Sequence, residues 1–183
     1  MESNVIRIFY LHLLHKFKPF KTMTTFTTSL DKFNKITTAI ISIILGLILS
    51  TVFFLTPDYE KNTAISLAIL PIIAFIIVYL LRPNNYSISA DKLLIHRIIN
   101  SVEIDRNNIQ SVQEIDESKV KNSIRTFGVG GFFGSFGKFW NSTLGNMTWY
   151  VTRKNNFVLV ETKDQKKIIL TPDKPEEFVA SFQ

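Results

Sequence analysis

Cysteine is absent from the 183 residues, which excludes a disulfide framework, a thiol nucleophile and a thiolate metal site. Histidine is scarce, with three in the chain. His12 and His15 are spaced to share a helix face, but two ligands without a nearby carboxylate or third histidine make a poor metal site. His96 stands alone in a predicted strand. No serine sits in a nucleophile elbow, and nothing in the sequence brings Asp105, Asp116 and Glu117 together as acid or base. The sequence therefore predicts no enzyme, no metal site and no cofactor.

Acidic charge is also in short supply: 21 basic against 15 acidic residues leave a formal charge of +6. Where the surplus lies decides its meaning. Residues 1–35 carry Arg7, Lys16, Lys18, Lys21, Lys32 and Lys35 against Glu2 and Asp31. From Arg82 onward the excess is small and dispersed, the pattern of a solvated surface rather than of a nucleic-acid footprint.

Charge is missing altogether from two long stretches. Ile36 to Leu55 (ITTAIISIILGLILSTVFFL) has twenty residues whose only polar groups are Thr and Ser hydroxyls, enough helix to span about 30 Å of hydrocarbon. Those hydroxyls can bond back to their own helix carbonyls. Ala64 to Leu81 (AISLAILPIIAFIIVYLL) is a second such run, and its Pro71 is tolerable as a kink in a membrane. Two uncharged helices of this length leave no face for water. The sequence therefore predicts a transmembrane hairpin: spans over 36–55 and 64–81, joined by an external loop over 56–63. Lys32, Lys35 and Arg82 flank the spans while the loop carries Asp58 and Glu60 against Lys61, which puts both termini on the cytoplasmic side of the cell membrane.

The first 22 residues are open to two readings. VIRIFYLHLLHKFK mixes apolar residues and cations as an interfacial helix does; alternatively, translation starts at Met23 and a short polar tail precedes the span. Either way, residues 1–35 form a cytoplasmic N-terminal segment.

Beyond Pro83 the periodicity is that of strands. Predicted strands run over 86–89, 93–97, 101–105, 111–115, 147–152, 157–162 and 167–170, with hairpin turns at 90–92, 153–156 and 163–166. In TPDKPEEFVASFQ, Asp173 is placed to cap a short helix, with Glu176 completing a capping box; Phe178, Val179 and Phe182 share its apolar face. About seven antiparallel strands closed by one helix, over 84–183, is the outline of a pleckstrin-homology-like barrel or sandwich.

The least ordinary segment is RTFGVGGFFGSFGKFW, Arg125 to Trp140. It is not a nucleotide loop. A P-loop ending at Gly137-Lys138 needs glycine where Phe132 stands, and a dinucleotide fingerprint from Gly128 needs glycine where Phe133 stands. Two readings remain. The favoured one makes it a loop or irregular strand whose phenylalanines fill the domain's core. The other makes Arg125, Phe127, Phe132, Phe133, Phe136, Lys138, Phe139 and Trp140 a contact surface for the bilayer or a partner.

The hairpin, IRTFGVGGFFGSFGKF at 124–139, WYVT at 149–152 and the ending IILTPDKPEEFV at 168–179 together resemble the bacterial pleckstrin-homology-like domain proteins that carry a two-helix membrane hairpin. The resemblance implies a seven-strand, one-helix domain with an interaction or scaffolding role. It brings no catalytic site and no basic loop for a headgroup. The expected ligands are a protein partner or a second copy of the chain, and next an anionic phospholipid; nucleic acid is not expected. The alternative from another class is a small oligomeric channel or transport accessory built from the hairpin, for which only scattered Thr and Ser hydroxyls are available.

Overall fold

The structure, a computed structural model, describes residues 23–183; the expectations placed on residues 1–22, His12 and His15 among them, lie outside those residues. A short strand, β1 (Thr24–Thr27), comes first, then two long helices, α1 (Lys32–Phe54) and α2 (Asp58–Leu81). Nine strands follow: β2 (Pro83–Ile88), β3 (Lys92–Arg97), β4 (Ser101–Asp105), β5 (Ile109–Glu114), β6 (Ile124–Gly130), β7 (Ser135–Asn141), β8 (Gly145–Val151), β9 (Val158–Thr162) and β10 (Lys167–Leu170). A one-turn helix, α3 (Glu117–Val120), precedes β6, and α4 (Pro175–Ala180) ends the chain.

At 1.5 Å per residue, the 23 and 24 residues of α1 and α2 are about 34 and 36 Å long. α1 begins where it does because the Asp31 carboxylate accepts the Asn34 N–H at 2.7 Å, an N-cap bond. α2 starts after Pro57 with Asp58 and Glu60 in its first turn, where the helix dipole favours anions. Helical structure thus extends past the apolar runs into polar sequence, and only residues 55–57 connect the two. Ser42, Ser50, Thr51 and Ser66 all donate to carbonyls of their own helix at 2.7–2.8 Å. Asn34 and Ala68 are the buried residues of the two helices, while Leu67 and Leu70 are each 73% exposed. A pair of core helices in a water-soluble protein would be buried instead. Both helices are long and apolar enough to cross a membrane.

The strands form two sheets, ordered β1-β2-β3-β4 and β5-β9-β10-β8-β7-β6. The domain is mainly β, as expected, but has ten strands. Three of them fall outside the seven predicted strands: β1, and the pair β6 and β7, made from the glycine and aromatic segment expected as a loop or irregular strand. One connection also differs from expectation. Residues 153–156 are not a hairpin turn, because β10 lies between β8 and β9 and pairs with β8 in parallel. Two strands that look like sequential hairpin partners are separated because the more apolar β10 takes the central place, where both faces are covered.

That coverage is visible residue by residue. Ile168 and Leu170 of β10, with Val158 and Val160 of β9, face Tyr86, Leu93 and Ile95 of the first sheet; Ile169 and Leu159 face a second cluster with Phe139, Met147 and Val120. The period of two puts alternate side chains into different cores. Phe178 of α4 closes the first core, with Val179 and Phe182 packed beside it. Asp173 does not cap α4: Lys174 occupies the cap position with no side-chain bond. The Asp173 carboxylate is engaged by the strand that precedes the helices.

Candidate functional site

The segment before α1 is tied into the β domain. β1 pairs with β2 over four residues, Thr24 opposite Ile88 to Thr27 opposite Asn85. Phe26, 7% exposed, meets the Phe178 ring edge-on at 5.1 Å. Asp173 accepts from the Thr27 hydroxyl at 2.7 Å and from the Ser29 N–H and hydroxyl at 3.0 and 2.8 Å, and forms an ion pair with Arg153. Burial pushes this carboxyl up, but the three hydrogen bonds and the Arg153 charge outweigh it and hold it below the ordinary carboxylate range. The Thr28 hydroxyl donates to the Thr171 carbonyl at 2.6 Å. The Tyr86 phenol, its ionisation pushed up by burial, donates to the Tyr150 carbonyl at 2.6 Å. Past β1, the Asn34 amide donates to the Thr152 carbonyl at 2.8 Å. Both ends of the helix pair are therefore fixed to one domain.

A third tie comes from the β6–β7 hairpin. Gly128 and Gly137 stand opposite each other at φ +119° and +121°, where a β-carbon on either would lie 2.3–2.4 Å from a facing carbonyl oxygen. Only glycine fits that approach. The tip beyond it rests on the helices. Phe133 N–H donates to the Thr38 hydroxyl of α1 at 2.9 Å. The Phe132 and Phe133 rings meet Phe75 of α2 at 5.1 and 5.6 Å, and Phe133 meets Tyr79 at 5.3 Å. A β-carbon on Gly131 would touch Phe33 of α1 at 3.3 Å.

The glycine and aromatic segment is thereby divided. Phe132 and Phe133 lie at the helix ends. Phe136 and Phe139 are each 6% exposed within the domain, with Phe139 stacked on Trp149 at 4.2 Å. Phe127 is 79% exposed on the outer strand β6, and Trp140 is partly exposed beside Ile124. Lys138 reaches the Thr148 hydroxyl at 2.8 Å. Arg125 lies over Gly130, its Nη1 3.4 Å from where a β-carbon would stand, and so sits close to the hairpin tip.

Cations gather at the same place. The Arg82 guanidinium lies over Tyr79 at 4.6 Å and Phe133 at 5.6 Å; the Lys154 ammonium lies over Phe33 at 3.4 Å. Arg97 stands opposite Pro83 in the β2–β3 ladder, next to Arg82. Lys32 and Lys35 are on the first turn of α1. Among the described residues none of these cations, nor Arg125, forms an ion pair: the pairs found involve Lys61, Lys92, Arg153, Lys166 and Lys174. The turn after Arg97 adds two exposed apolar side chains, Ile98 and Ile99, and the Ile99 N–H donates to the Leu80 carbonyl at the end of α2 at 3.1 Å. Arg97 and this turn escaped the sequence reading. The available signal was an Ile-Ile pair between two predicted strands, where a turn needs polar residues.

Among the described residues no group of three or more His, Asp or Glu could hold a metal ion. His96 bonds the Ser101 and Ser87 hydroxyls at 2.8 and 3.0 Å. Asp105 and Asp116 cap short helical turns.

Two packed sheets closed by a C-terminal helix make a domain of pleckstrin-homology type, here carried on a pair of apolar helices. The bacterial PH domain family model matches residues 84–183, and the chain belongs to that family. No curated protein and no solved structure matches it.

Proposed function

We propose that this protein is a membrane-anchored PH-like module on the cytoplasmic face of the cell membrane, acting by binding rather than by catalysis. The observation that carries the reading is the pairing of β1 with β2 across the helix pair. A ladder between the residues before α1 and those after α2 requires both ends of the pair on one side of a bilayer, which suits two spans. The flanking Lys32, Lys35 and Arg82 favour the cytoplasmic side. Three ties to the helices then hold the domain in one orientation, with the cations that form no ion pair among the described residues and the Ile98-Ile99 turn towards the headgroups. Of the ligands considered, that face suits anionic headgroups best.

A protein partner or second copy is the second reading, supported by Phe127, which is 79% exposed on the outer strand. The bulge between Arg125 and Phe127 blunts that edge against strand addition, so such a partner would dock on side chains. The channel reading loses support, because Ser42, Ser50, Thr51 and Ser66 spend their hydroxyls on their own helices.

The absence of cysteine makes the test direct. Single Glu60→Cys and Lys163→Cys variants are treated with a membrane-impermeant maleimide in intact bacterial cells and after lysis. Glu60→Cys is expected to label in intact cells and Lys163→Cys only after lysis. Labelling of Lys163→Cys in intact cells would overturn the assignment.

A further inference from the structure

The geometry points to a binding site for one anionic phospholipid, its phosphate held by Arg82 and Arg97 and one acyl chain lying in the groove between α1 and α2. The inference rests on the membrane-anchored reading above and names the ligand and the residues that take it.

Three observations converge. First, Arg97 stands opposite Pro83, the residue that follows Arg82, in the β2–β3 ladder. Neither arginine has an anionic partner among the described residues, and the Nε of each is buried without a hydrogen bond. Donors taken from water and left unpaired are costly, and a guanidinium group suits the paired oxygens of a phosphate. Second, an apolar groove of about 340 Å³ runs between the helices, lined by Ile44, Ile48, Pro71, Phe75 and Phe132 among others. It has no polar wall, so a hydrocarbon chain fits it and a headgroup does not. Third, the two features are joined by ring contacts. Arg82 lies 5.6 Å from the Phe133 ring, Phe133 lies 4.6 Å from Phe132, and Phe132 lines the groove. Phosphate and acyl chain of one lipid are separated on that scale, by a glycerol.

The ligand should carry net negative charge. Lys32, Lys35, Arg125 and Lys154 surround the helix ends without ion pairs among the described residues, and their field opposes the ammonium of a zwitterionic headgroup. Exposed Ile98 and Ile99, anchored to the end of α2 through the Leu80 carbonyl, would enter the interface beside the lipid.

The full chain is purified in mild detergent and supplied with equimolar phosphatidylglycerol and phosphatidylethanolamine, and lipids retained per chain are counted by native mass spectrometry. One retained phosphatidylglycerol is expected. Arg82→Gln or Arg97→Gln should lower its occupancy tenfold or more, equivalent to about 1.4 kcal/mol, and Arg82→Lys should restore part of it. Ala74→Phe, which fills the groove, should lower retention while both arginines remain. Soluble glycerophosphate should not displace the lipid. Unchanged occupancy in the arginine variants, equal retention of the two lipids, or displacement by glycerophosphate at equal concentration would each overturn the site; the last would indicate a bare phosphate site. If Arg97→Gln unfolds, Arg82→Gln decides alone, since Arg82 precedes β2 and lies outside the β2–β3 ladder. Retention in detergent does not depend on which side of the membrane the domain faces, so failure of the site and failure of the topology are separate results.

Discussion

Replacing Phe26 by alanine tests whether the strand ahead of the helices is part of the domain or an ornament on it. Phe26 is 7% exposed and packs on Phe178, which is fully buried. Burying a phenylalanine and then truncating it costs about 3–5 kcal/mol. Because β1 is an edge strand, its neighbours can relax into the space, so the low end, about 3 kcal/mol, is expected. Domains of this size have about 5–15 kcal/mol in all, so the loss is a large share. Both tryptophans, Trp140 and Trp149, lie in the β domain, so fluorescence during urea titration of the full chain in mild detergent reports on that domain. With a slope of about 1–2 kcal/mol/M, the midpoint should fall by roughly 1.5–3 M. A fragment over 84–183 should be destabilised at least as much, since Phe178 and the β2 edge lose their cover. A Phe26→Ala midpoint unchanged from wild type, or a fragment as stable as the full chain, would refute the claim that β1 completes the core.

Two further substitutions probe the ties to the helices. Gly128→Ala puts a β-carbon 2.3 Å from the Phe136 carbonyl oxygen at φ +119°, so a loss of about 2–3 kcal/mol is expected in the same titration, with Phe132 and Phe133 freed from the helices; an effect within error of zero would contradict the close approach. Asp173 has its folded pKa held below the ordinary value of about 3.9, so its contribution is present above that value and lost as pH falls through the folded pKa. Unfolding midpoints of wild type should therefore drop more steeply below about pH 4 than those of Asp173→Asn; equal slopes would show that the carboxylate does not secure the Thr27–Ser29 segment.

Much of the fold was legible from two periodicities. The uncharged runs gave both helices, and the alternation from Pro83 onward gave most strands of the two sheets, because burial on one side of a helix or strand writes itself into sequence. What was not legible depended on distant partners. Thr24 to Thr27 has strand-forming threonines but reads as a polar tail until β2 is placed beside it. Asp173 stands where a cap belongs, yet Thr27, Ser29 and Arg153 hold it more strongly than an empty helix N-terminus would. The alternation of glycine and phenylalanine hid β6 and β7, because glycine is depleted from strands in general and here is required only by the facing backbone. Of the residues in the proposed lipid site, Phe132 and Phe133 were among the contact residues read from the sequence, Arg82 was read only as the flank of the second span, and Arg97 acquires its meaning only from the ladder that sets it opposite Pro83.

The ladder between β1 and β2 has a consequence for how the protein is made. Strand β1 leaves the ribosome before β2, and 55 residues separate Thr27 from Pro83. At about 5–20 residues per second, Phe26 waits on the order of 3–10 s before its partner strand exists. On the membrane-anchored reading proposed above, both helices enter the bilayer during that interval and return the chain to the side where β1 is held. A chain that inserts only one helix leaves β1 and β2 on opposite faces and cannot close its core around Phe178. On that reading, closure of the first sheet therefore depends on both helices being inserted, and a mis-inserted chain is left with that sheet open.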